Sequence, residues 1–449
     1  MIAPDPGRIS FLGDIGQDQR LNILMLTNTY VPHVGGVARS VSGLVVEQHS
    51  VLVVAPEFPG TPVAEEGVER IVALQRFGGS DFSMPLPLTW PLSEVIEDFA
   101  PDLVHTHHPF LLGDTALRVA SVYQVPIIFT YHTRYELYGH YIAQDSAWLQ
   151  RLVLSLAHGY CDLCDHVIAP SQSIVQHLKR HGVQAPMTVI PTGIDVDAFA
   201  SGRRDRARER WNLAPDQFVI GHVGRLAPEK NLDILVQAIA EVLARRPKAA
   251  AMITGDGSYR SIMEHAFAGA GLAERVRFTG VLTGEALWDA YAAQDVFAFT
   301  SISETQGLVL TEAMAAGVPV IALDAPGVRE VVEDGSNGRL LPHSADADAL
   351  AEALAWLADL PLQQREAMRQ AARQTAGRFS TTRCLDRVLE LYESVLEGEP
   401  KGEAPEASAW EFARRRLESE LDIVANFAHA VSDAVLLPPD QMPSDSAER

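Results

Sequence analysis

The sequence has little cysteine, no excess of positive charge and no long apolar run, and each of these absences excludes a class of protein. Three cysteines in 449 residues are too few for a disulfide framework and predict a reducing compartment. The formal net charge of −22 argues against a nucleic-acid-binding protein and against broad adhesion to an anionic membrane. Residues 1–20 lack the pattern of a secretory signal, and no apolar run has membrane-spanning length. We therefore expect a cytoplasmic chain that at most lies on the inner face of a membrane.

Strands and helices alternate along most of the chain, which predicts an α/β protein. Continuous apolar runs such as Leu21 to Thr27 indicate parallel strands that are buried on both faces. The alternation breaks at the turn-rich segment 191–199, PTGIDVDAF, and restarts at Phe218. We therefore expect two Rossmann-like domains whose strand-end loops face one cleft.

The predicted boundaries follow from these breaks. They are a flexible arm at 1–20, a first domain at 21–200, a second domain at 201–397, and a linker with an amphipathic helix at 398–449. Whether the last helices of the second domain cross back to the first is left open. Residues 56–100 are rich in proline and are expected to be irregular, except for a helix at 92–99.

The stretch Thr300 to Val320, TSISETQGLVLTEAMAAGVPV, is the centre of the predicted site. It has the pattern of a strand end, a polar turn and then a helix, with Glu304 at the mouth of the helix and Glu312 about two turns along it. Backbone N–H groups at a helix N-terminus attract phosphate, whereas carboxylates accept hydrogen bonds from hydroxyls. The pattern favours a ligand that is part phosphate and part polyol, although an ordinary capped βα unit would also produce it.

Three further polar segments follow predicted strands. Gly35-Gly36 stands where the backbone must turn sharply or let a ligand approach closely. The loop GRLAPEKN carries Arg225 and Lys230, and two cations this close suit a diphosphate whose leaving charge must be stabilised. His132 follows the strand PIIFTY and either contacts a reacting group or hydrogen-bonds a neighbouring loop.

The segment HGYCDLCDH at 158–166 invites comparison with a metal site. Structural zinc needs a closed set of ligands, and no second CxxC accompanies Cys161 and Cys164. Cysteine and histidine spaced by three along a helix are more often packed in a core. We therefore predict no metal site and no essential metal cofactor.

The C-terminal extension contains an isolated amphipathic helix at about 408–436. We expect it to dock on a neighbouring domain or a partner, with the alternative that it lies on a membrane, for which its polar face has few basic residues. The predicted apolar stripe comprises Trp410, Leu417, Leu421, Val424, Ala428, Val431 and Val435.

Taken together, these motifs resemble the retaining glycosyltransferases of family 4, which have the two-domain GT-B fold. The resemblance covers residues 21–397. It rests on two glutamates separated by seven residues, Glu304 and Glu312, followed by EAMAAGVPV. The loops GGV, GRLAPEKN and GDG stand in the order that the family has them.

The resemblance implies a role for each matching residue. Arg225 and Lys230 would hold the diphosphate of a UDP-sugar, Glu312 its ribose, and Glu304 the hydroxyls of the donor sugar. His132 would lie near the reacting sugar carbon. The remaining donor contacts would come from Gly35 and Gly36 under the diphosphate, Gly255 of the GDG loop, Val281 beside the uracil, and the N–H groups of Gly307 and Leu308.

Several stretches, among them TYHTRYELYGHY and SETQG, resemble more narrowly the enzymes that transfer glucose from UDP-glucose to 1,2-diacylglycerol. Most of family 4 has phenylalanine at the position of Gln306 and asparagine at that of Thr192, and both departures agree with the lipid-using subgroup. The implied function is a peripheral membrane hexosyltransferase of glycolipid biosynthesis that needs no metal. Its apolar acceptor surface is expected from TYHTRYELYGHYI and from residues 82–90.

Two alternatives stay open. One is a family 4 enzyme with a soluble sugar or other acceptor, and the other is a non-catalytic nucleotide-sugar binder. The second gains weight from the segment GLVVEQHSVLVV, which leaves the first helix several residues shorter than is usual in the family.

Overall fold

The computed structural model describes residues 20–33, 35–45, 49–58, 61, 65–74, 84–85, 89–135, 147–398 and 419–431. Contacts within the chain divide it into two compact units. The first contains 1–170, 175–190 and 385–443, and the second contains 171–174, 191–384 and 444–449. The predicted arm at 1–20, except for Arg20, and most of the predicted linker lie outside the described residues.

The first unit is built on a seven-stranded parallel sheet with the order β3-β2-β1-β6-β7-β8-β9. Its strands are β1 Asn22–Leu26, β2 Ser50–Pro56, β3 Val68–Ile71, β6 Leu103–Thr106, β7 Ile127–Thr130, β8 His166–Ala169 and β9 Met187–Val189, and a separate antiparallel pair is formed by β4 Ala73–Leu74 and β5 Met84–Pro85. The associated helices are α1 Gly36–Gly43, α2 Thr89–Phe99, α3 Leu112–Tyr123, α4 Ala147–Leu163 and α5 Gln172–Arg180.

The second unit has a six-stranded parallel sheet with the order β12-β11-β10-β13-β14-β15. Its strands are β10 Phe218–Val223, β11 Ala249–Thr254, β12 Val276–Gly280, β13 Val296–Phe299, β14 Val320–Leu323 and β15 Gly338–Leu341. The helices are α6 Val196–Ala200, α7 Arg204–Arg210, α8 Leu232–Arg245, α9 Arg260–Gly269, α10 Gly284–Ala292, α11 Leu308–Ala315, α12 Ala347–Asp359 and α13 Leu362–Gly377. A last helix, α14 Thr381–Glu397, belongs to the first unit from residue 385 onward. The predicted class, two parallel-sheet α/β domains, is confirmed.

Apolar side chains on both faces of each sheet account for the layered packing. In the second unit α8 and α12 cover one face, with Ile239 and Leu354 fully buried. The other face is covered by α10 and α11, where Tyr291 and Met314 are fully buried. Because both faces are covered, the strands consist of nearly continuous apolar residues, which is why they were recognisable in the sequence.

Strand β3 was not predicted. Its residues Val68–Ile71 pair in parallel with β2 at the edge of the sheet, and all four are only half-buried. An edge strand has one neighbour and less apolar cover than a central strand, so its sequence, VERI, lacks the continuous apolar run that identified the others.

Residues 419–431 are helical and pack on α4. The buried face is formed by Ser419 and Ala430, and Asn426 donates to the Leu156 carbonyl oxygen at 3.3 Å. Gly159 allows this approach, because a Cβ there would lie 1.9 Å from the Asn426 side-chain oxygen. Docking on a neighbouring domain is therefore observed for this segment.

The predicted docking stripe is wrong at three of its central positions. Leu421 and Val424 are 57% and 60% exposed, and Ala428 is exposed too. Ser419, Asn426 and Ala430 make the contact instead, together with Val431 of the predicted stripe. Trp410, Leu417 and Val435 lie outside the described residues. Among the residues that the structure describes, no helix combines the length and the apolar character needed to cross a membrane.

Helix α14 supplies a buried polar link to the first sheet. The Tyr392 hydroxyl lies 2.6 Å from Nδ1 of His105 on β6. The other ring nitrogen of His105 lies 2.7 Å from the Thr130 hydroxyl on β7. His105 is fully buried and Tyr392 is 1% exposed. Both nitrogens of this histidine are thus satisfied inside the core, as a buried polar group requires.

We expect Tyr392→Phe to lower the free energy of unfolding by about 1–3 kcal/mol, because it leaves a buried ring nitrogen without its partner. Thermal and urea unfolding of the variant would measure the loss. Tyr259→Phe is the matched control, since it also removes a tyrosine hydroxyl hydrogen bond, to Asp233, but at an exposed position. Equal stability losses in the two variants would contradict the assigned role of Tyr392.

Candidate active site

The strand order of the second sheet determines where its polar loops meet. The order reverses between β10 and β13, and the carboxyl ends of the strands on either side of such a reversal form the usual ligand-binding crevice of open α/β sheets. Strand β10 leads into the loop with Arg225 and Lys230, and β13 leads into the turn with Glu304. Two segments that were separate in the sequence therefore converge.

Lys230 and Glu304 form a direct ion pair at this point. The ammonium nitrogen of Lys230 lies 2.7 Å from Oε1 of Glu304. The Ser301 hydroxyl donates to the same carboxylate oxygen at 2.8 Å. The Thr300 hydroxyl donates to the Lys230 carbonyl oxygen at 3.0 Å and so fixes the backbone of the cation loop. The side chains of Lys230 and Glu304 are 14% and 19% exposed.

The charge state of Glu304 follows from these contacts. Burial by itself would raise the pKa of its carboxyl. The attraction of Lys230, the hydrogen bonds from Lys230 and Ser301, and the charge of Arg225 outweigh burial and lower the pKa below the ordinary value. Glu304 is therefore a carboxylate near neutral pH and can only accept hydrogen bonds.

Arg225 has a carboxylate partner as well. Its guanidinium forms an ion pair with Glu229, four residues further along the same loop, and the Arg225 side chain is 47% exposed. Each predicted diphosphate-binding cation is thus paired with a glutamate of the same unit. An anionic ligand would have to compete with Glu229 and Glu304 for these cations. Binding of such a ligand would therefore take the cationic partner away from each glutamate.

Gly255 lies where the loops after β10, β11 and β12 pack together. Its φ of 129° is disfavoured for residues with a side chain, and a Cβ there would lie 1.9 Å from the Gly224 carbonyl oxygen. Its N–H donates to the Gly280 carbonyl oxygen at 2.9 Å. Val281, directly after β12, is 59% exposed and presents an apolar surface at this edge of the sheet.

Helix α11 begins at Leu308, with Gly307 before it in the left-handed region at a φ of 74°. The first N–H groups of a helix lack partners within the helix. Glu312 lies further along α11 and is 1% exposed. Its Oε2 accepts a hydrogen bond from the Tyr291 hydroxyl of α10 at 2.6 Å. The two glutamates are therefore held differently, Glu304 by a cation and a serine, and Glu312 by a buried phenol.

Gln306 and Thr192, the two departures from the usual family pattern, are in contact with each other. The Gln306 side chain accepts from the Thr192 N–H at 2.7 Å and donates to the Thr192 carbonyl oxygen at 2.8 Å. Gln306 is 4% exposed. Its amide therefore ties the 191–199 connector to the loop after β13, and a phenylalanine could not make either bond.

In the first unit, Gly35 and Gly36 stand at the start of α1. Gly35 precedes the helix with extended backbone, and a Cβ there would come within 3.3 Å of the His33 ring. Helix α1 has eight residues and ends at Gly43. The short first helix that the sequence predicted is therefore present.

His132 lies after β7 and contacts His107, which follows β6. The two rings stack, with His107 Nδ1 and His132 Nε2 3.0 Å apart. Burial, reinforced by neighbouring imidazoles, lowers the pKa of both rings well below the ordinary value. One neutral ring donates its N–H to the other, so His132 makes the contact with a neighbouring loop that was one of its two predicted roles.

Sequence reasoning missed the residues that hold the predicted ones in place. These are Glu229 beside Arg225, Tyr291 beside Glu312 and His107 beside His132. Glu229 stands four positions after Arg225, a spacing that indicates an ion pair in a helical turn. Nothing in the sequence indicates the partnership of Tyr291 with Glu312, because they come from different helices.

The cysteines of HGYCDLCDH are packed, as predicted. Cys161 and Cys164 are 0% and 6% exposed, and the Cys161 thiol donates to the Ala157 carbonyl oxygen at 3.4 Å. Burial raises the pKa of both thiols. Both thiols therefore lie in the core, where burial disfavours the charged thiolate.

Buried neutral histidines should make the protein sensitive to mild acid. Burial lowers the pKa of His105 and of His108 to about 3 and that of His222 to about 4, whereas an unfolded histidine titrates near about 6.5. Between these values the unfolded chain binds more protons, so the free energy of unfolding falls as the pH falls. Each such histidine lowers the free energy of unfolding by up to about 1.4 kcal/mol for each pH unit of acidification.

Urea unfolding at about pH 7.5, 6.5 and 5.5, above the range where carboxyls titrate, would measure this loss. We expect His105→Gln to be less stable at pH 7.5 but to lose less stability on acidification. A free energy of unfolding that is constant over this range would contradict the prediction.

Comparison with known proteins places this arrangement in a family. Residues 34–198 match the family model described as "Glycosyltransferase Family 4", and residues 203–375 match the one described as "Glycosyl transferases group 1". An alpha-monoglucosyldiacylglycerol synthase of Streptococcus pneumoniae is 30% identical over 76% of this chain and 80% of its own length. A GDP-mannose-dependent alpha-mannosyltransferase of Mycobacterium tuberculosis is 32% identical over 84% of this chain and 97% of its own length.

Solved structures agree on the fold. Anabaena HepE, in complex with UDP and glucose, gives a TM-score of 0.64 at 24% identity and covers 84% of this chain and 100% of that one. The sucrose-phosphate synthase of Thermosynechococcus elongatus gives 0.68 at 23% identity with the same coverage. The chain therefore belongs to glycosyltransferase family 4 and is a hexosyltransferase with two α/β domains of the GT-B type.

Proposed function

We propose that this enzyme transfers glucose from UDP-glucose to 1,2-diacylglycerol at a membrane surface, with retention of the anomeric configuration. The observation that carries the donor half of this proposal is the ion pair between Lys230 and Glu304, at the strand-order reversal of the second sheet. It combines a group suited to a diphosphate with a group suited to sugar hydroxyls. The acceptor half is supported by the relatives named above and by the motifs of the lipid-using subgroup.

Donor binding, in this proposal, is an exchange of partners. The diphosphate takes over Lys230 and Arg225, which form ion pairs with Glu304 and Glu229 in the structure. The carboxylate of Glu304, released from Lys230, then accepts hydrogen bonds from the hydroxyls of the donor sugar. A site organised in this way keeps its cations neutralised until the correct anion arrives.

Nucleoside recognition is assigned to α11 and its surroundings. The ribose hydroxyls would donate to Glu312, whose carboxylate can accept further hydrogen bonds besides that from Tyr291,. The N–H groups of Gly307 and Leu308 at the helix start would face phosphate or sugar. Gly255 would let a ligand approach the backbone, and the exposed Val281 would border the uracil.

The reaction needs no protein nucleophile. The bond between the sugar carbon and the diphosphate oxygen breaks, the acceptor oxygen bonds to the same face of that carbon, and the acceptor proton passes to the leaving diphosphate oxygen. The enzyme's main task is then to stabilise the charge that develops on the diphosphate, which falls to Arg225 and Lys230. His132, kept neutral, is assigned to the reacting carbon, and Gly35 and Gly36 to the diphosphate.

A lipid acceptor calls for peripheral contact with the membrane. Most of the two segments expected to supply its apolar surface, residues 82–90 and 130–142, lies outside the described residues. The alternative with a soluble acceptor draws support from the mannosyltransferase relative, which spans a larger share of this chain. An activity assay with both kinds of acceptor therefore decides between a lipid and a soluble acceptor.

The deciding experiment measures nucleoside diphosphate release from UDP-glucose and from GDP-mannose. Each donor is supplied with diacylglycerol in vesicles, with a panel of soluble sugars, or with no acceptor. We expect release from UDP-glucose with diacylglycerol. Release with a soluble sugar alone would overturn the lipid acceptor, release from GDP-mannose alone would overturn the donor, and donor binding without release under any condition would indicate a non-catalytic binder.

A second prediction separates binding from transfer. We expect Glu304→Gln to lower kcat by at least about 100-fold, because the charge that orients the sugar is lost at the reacting centre. The affinity for UDP, measured by calorimetry, should be kept or rise, since UDP lacks the sugar and the variant no longer competes with the diphosphate for the charge of Lys230. Glu264→Gln is the matched control, because Glu264 also pairs with an arginine but on the exposed helix α9. Equal losses of kcat and UDP affinity in Glu304→Gln would contradict the sugar-binding role.

A further inference from the structure

Three histidines of the first unit lie together in a place that the glycosyl-transfer site does not use. His158 is on α4, His177 is on α5, and His181 directly follows α5. Their candidate ligand atoms all lie within 4.8 Å of one another. The ring centroids of His158 and His181 are 4.8 Å apart, and those of His177 and His181 are 4.4 Å apart.

The topology separates this cluster from the strand ends that carry the predicted site. Helix α4 leads into β8 and α5 leaves it. In a parallel sheet both connecting helices run back toward the amino ends of the strands. His158 lies near the end of α4, and His177 and His181 lie at the end of α5, so all three are at the amino edge. The predicted ligand residues follow the carboxyl ends.

The spacing of His177 and His181 places both rings on one side of the same helical turn. The His181 N–H donates to the His177 carbonyl oxygen at 3.2 Å, so the helical turn continues past Arg180. Residues four apart on a helix are neighbours on its surface, and two imidazoles at this spacing are a common metal-binding pair. The third ring comes from a different helix, which makes the cluster a bridge between α4 and α5.

One hydrogen bond fixes which nitrogen of His181 is available. Its Nδ1 lies 2.9 Å from the His177 carbonyl oxygen and must therefore carry the proton. The lone pair of a neutral His181 is then on Nε2. A metal-binding histidine usually has its other ring nitrogen held by a carbonyl or carboxylate in this manner.

His158 contributes a buried nitrogen that lacks a hydrogen bond. The residue is 9% exposed, and its Nε2 has no hydrogen-bond partner among the residues that the structure describes. A buried polar atom without a partner is costly. A cation at the cluster would use this lone pair.

We infer that His158, His177 and His181 form a binding site for a divalent cation of the zinc class, which joins α4 to α5. Imidazole nitrogen suits zinc, nickel, cobalt and copper. Zinc bound to three imidazoles would bring their nitrogens to about 3.4 Å from one another, so binding would draw the rings together by about 1 Å. The fourth position would be left to water or an external ligand.

The cysteines beside the cluster are excluded as ligands. The group of possible ligand atoms that come together among the described residues consists of the three histidines and neither cysteine, and the Cys161 thiol donates its proton to the Ala157 carbonyl oxygen. His158 is therefore the one residue of the segment HGYCDLCDH that we assign to the metal site. The other two ligands are His177 and His181, from the end of α5. The proposed role is structural and independent of the donor and acceptor of the enzyme.

The test is zinc titration of chelator-treated, tag-free full-length protein, followed by calorimetry and thermal unfolding. We expect one zinc per chain and a higher Tm in its presence. His181→Gln, at a partly exposed position, should weaken zinc binding by at least about tenfold. His265→Gln is the matched control, because its Nδ1 makes the same contact with a carbonyl oxygen four residues earlier, that of Ser261, at 2.6 Å. It should bind zinc as the unaltered protein does.

Cobalt supplies a measurement that does not depend on a variant. Co²⁺ bound to the unaltered protein should give the visible absorption of a four-coordinate site without the intense near-ultraviolet band of a cobalt–thiolate bond. Thiolate absorption would assign the metal to cysteine and overturn the proposal. So would failure to bind zinc at micromolar concentration, or equal zinc affinity in His181→Gln and the unaltered protein.

Discussion

The ion pair between Lys230 and Glu304 is the contact on which the organisation of the second unit's site depends. It joins the loops after the neighbouring strands β10 and β13 through two residues that are 74 positions apart in the chain. Both partners are largely buried, so neither charge could be held there alone without a large desolvation cost. The pair keeps Glu304 ionised, and Ser301 and Thr300 orient its two members. The same interaction thus stabilises the two loops, and in the proposed function its cation binds phosphate and its carboxylate binds hydroxyls.

The hydrogen-bonded pair of Gln306 and Thr192 changes how a sequence feature is interpreted. Each residue departs from the usual family pattern, and together they indicated the class of acceptor. In the structure they form one double hydrogen bond across 114 positions of the chain. Their joint occurrence has a structural explanation, since the amide of Gln306 satisfies the backbone of the connector at Thr192. The two departures therefore count as one observation, and the acceptor assignment rests more on the relatives and the other motifs.

Prediction from sequence succeeded where the signal is local. Central strands such as β1 and β10 appear as apolar runs because both faces are covered, and each polar loop was assigned to a strand end because parallel strands place their ligand-binding residues there. It failed at β3, whose edge position removes the apolar signal. It also failed at Leu421 and Val424, since helical spacing identifies an apolar face but not whether small residues elsewhere on the helix allow closer packing.

The sequence by itself determined the α/β class, the order of the strand-end loops and the family, because these depend on residue types at short spacing. Only the tertiary structure determined which side chains are partners. Tyr392 reaches His105 across 287 positions, and Tyr291 meets Glu312 across 21. Such contacts arise when helices pack on a sheet, and no local pattern encodes them. The proposed three-histidine site likewise departs from the sequence prediction of no metal site, because only packing brings the end of α5 beside α4.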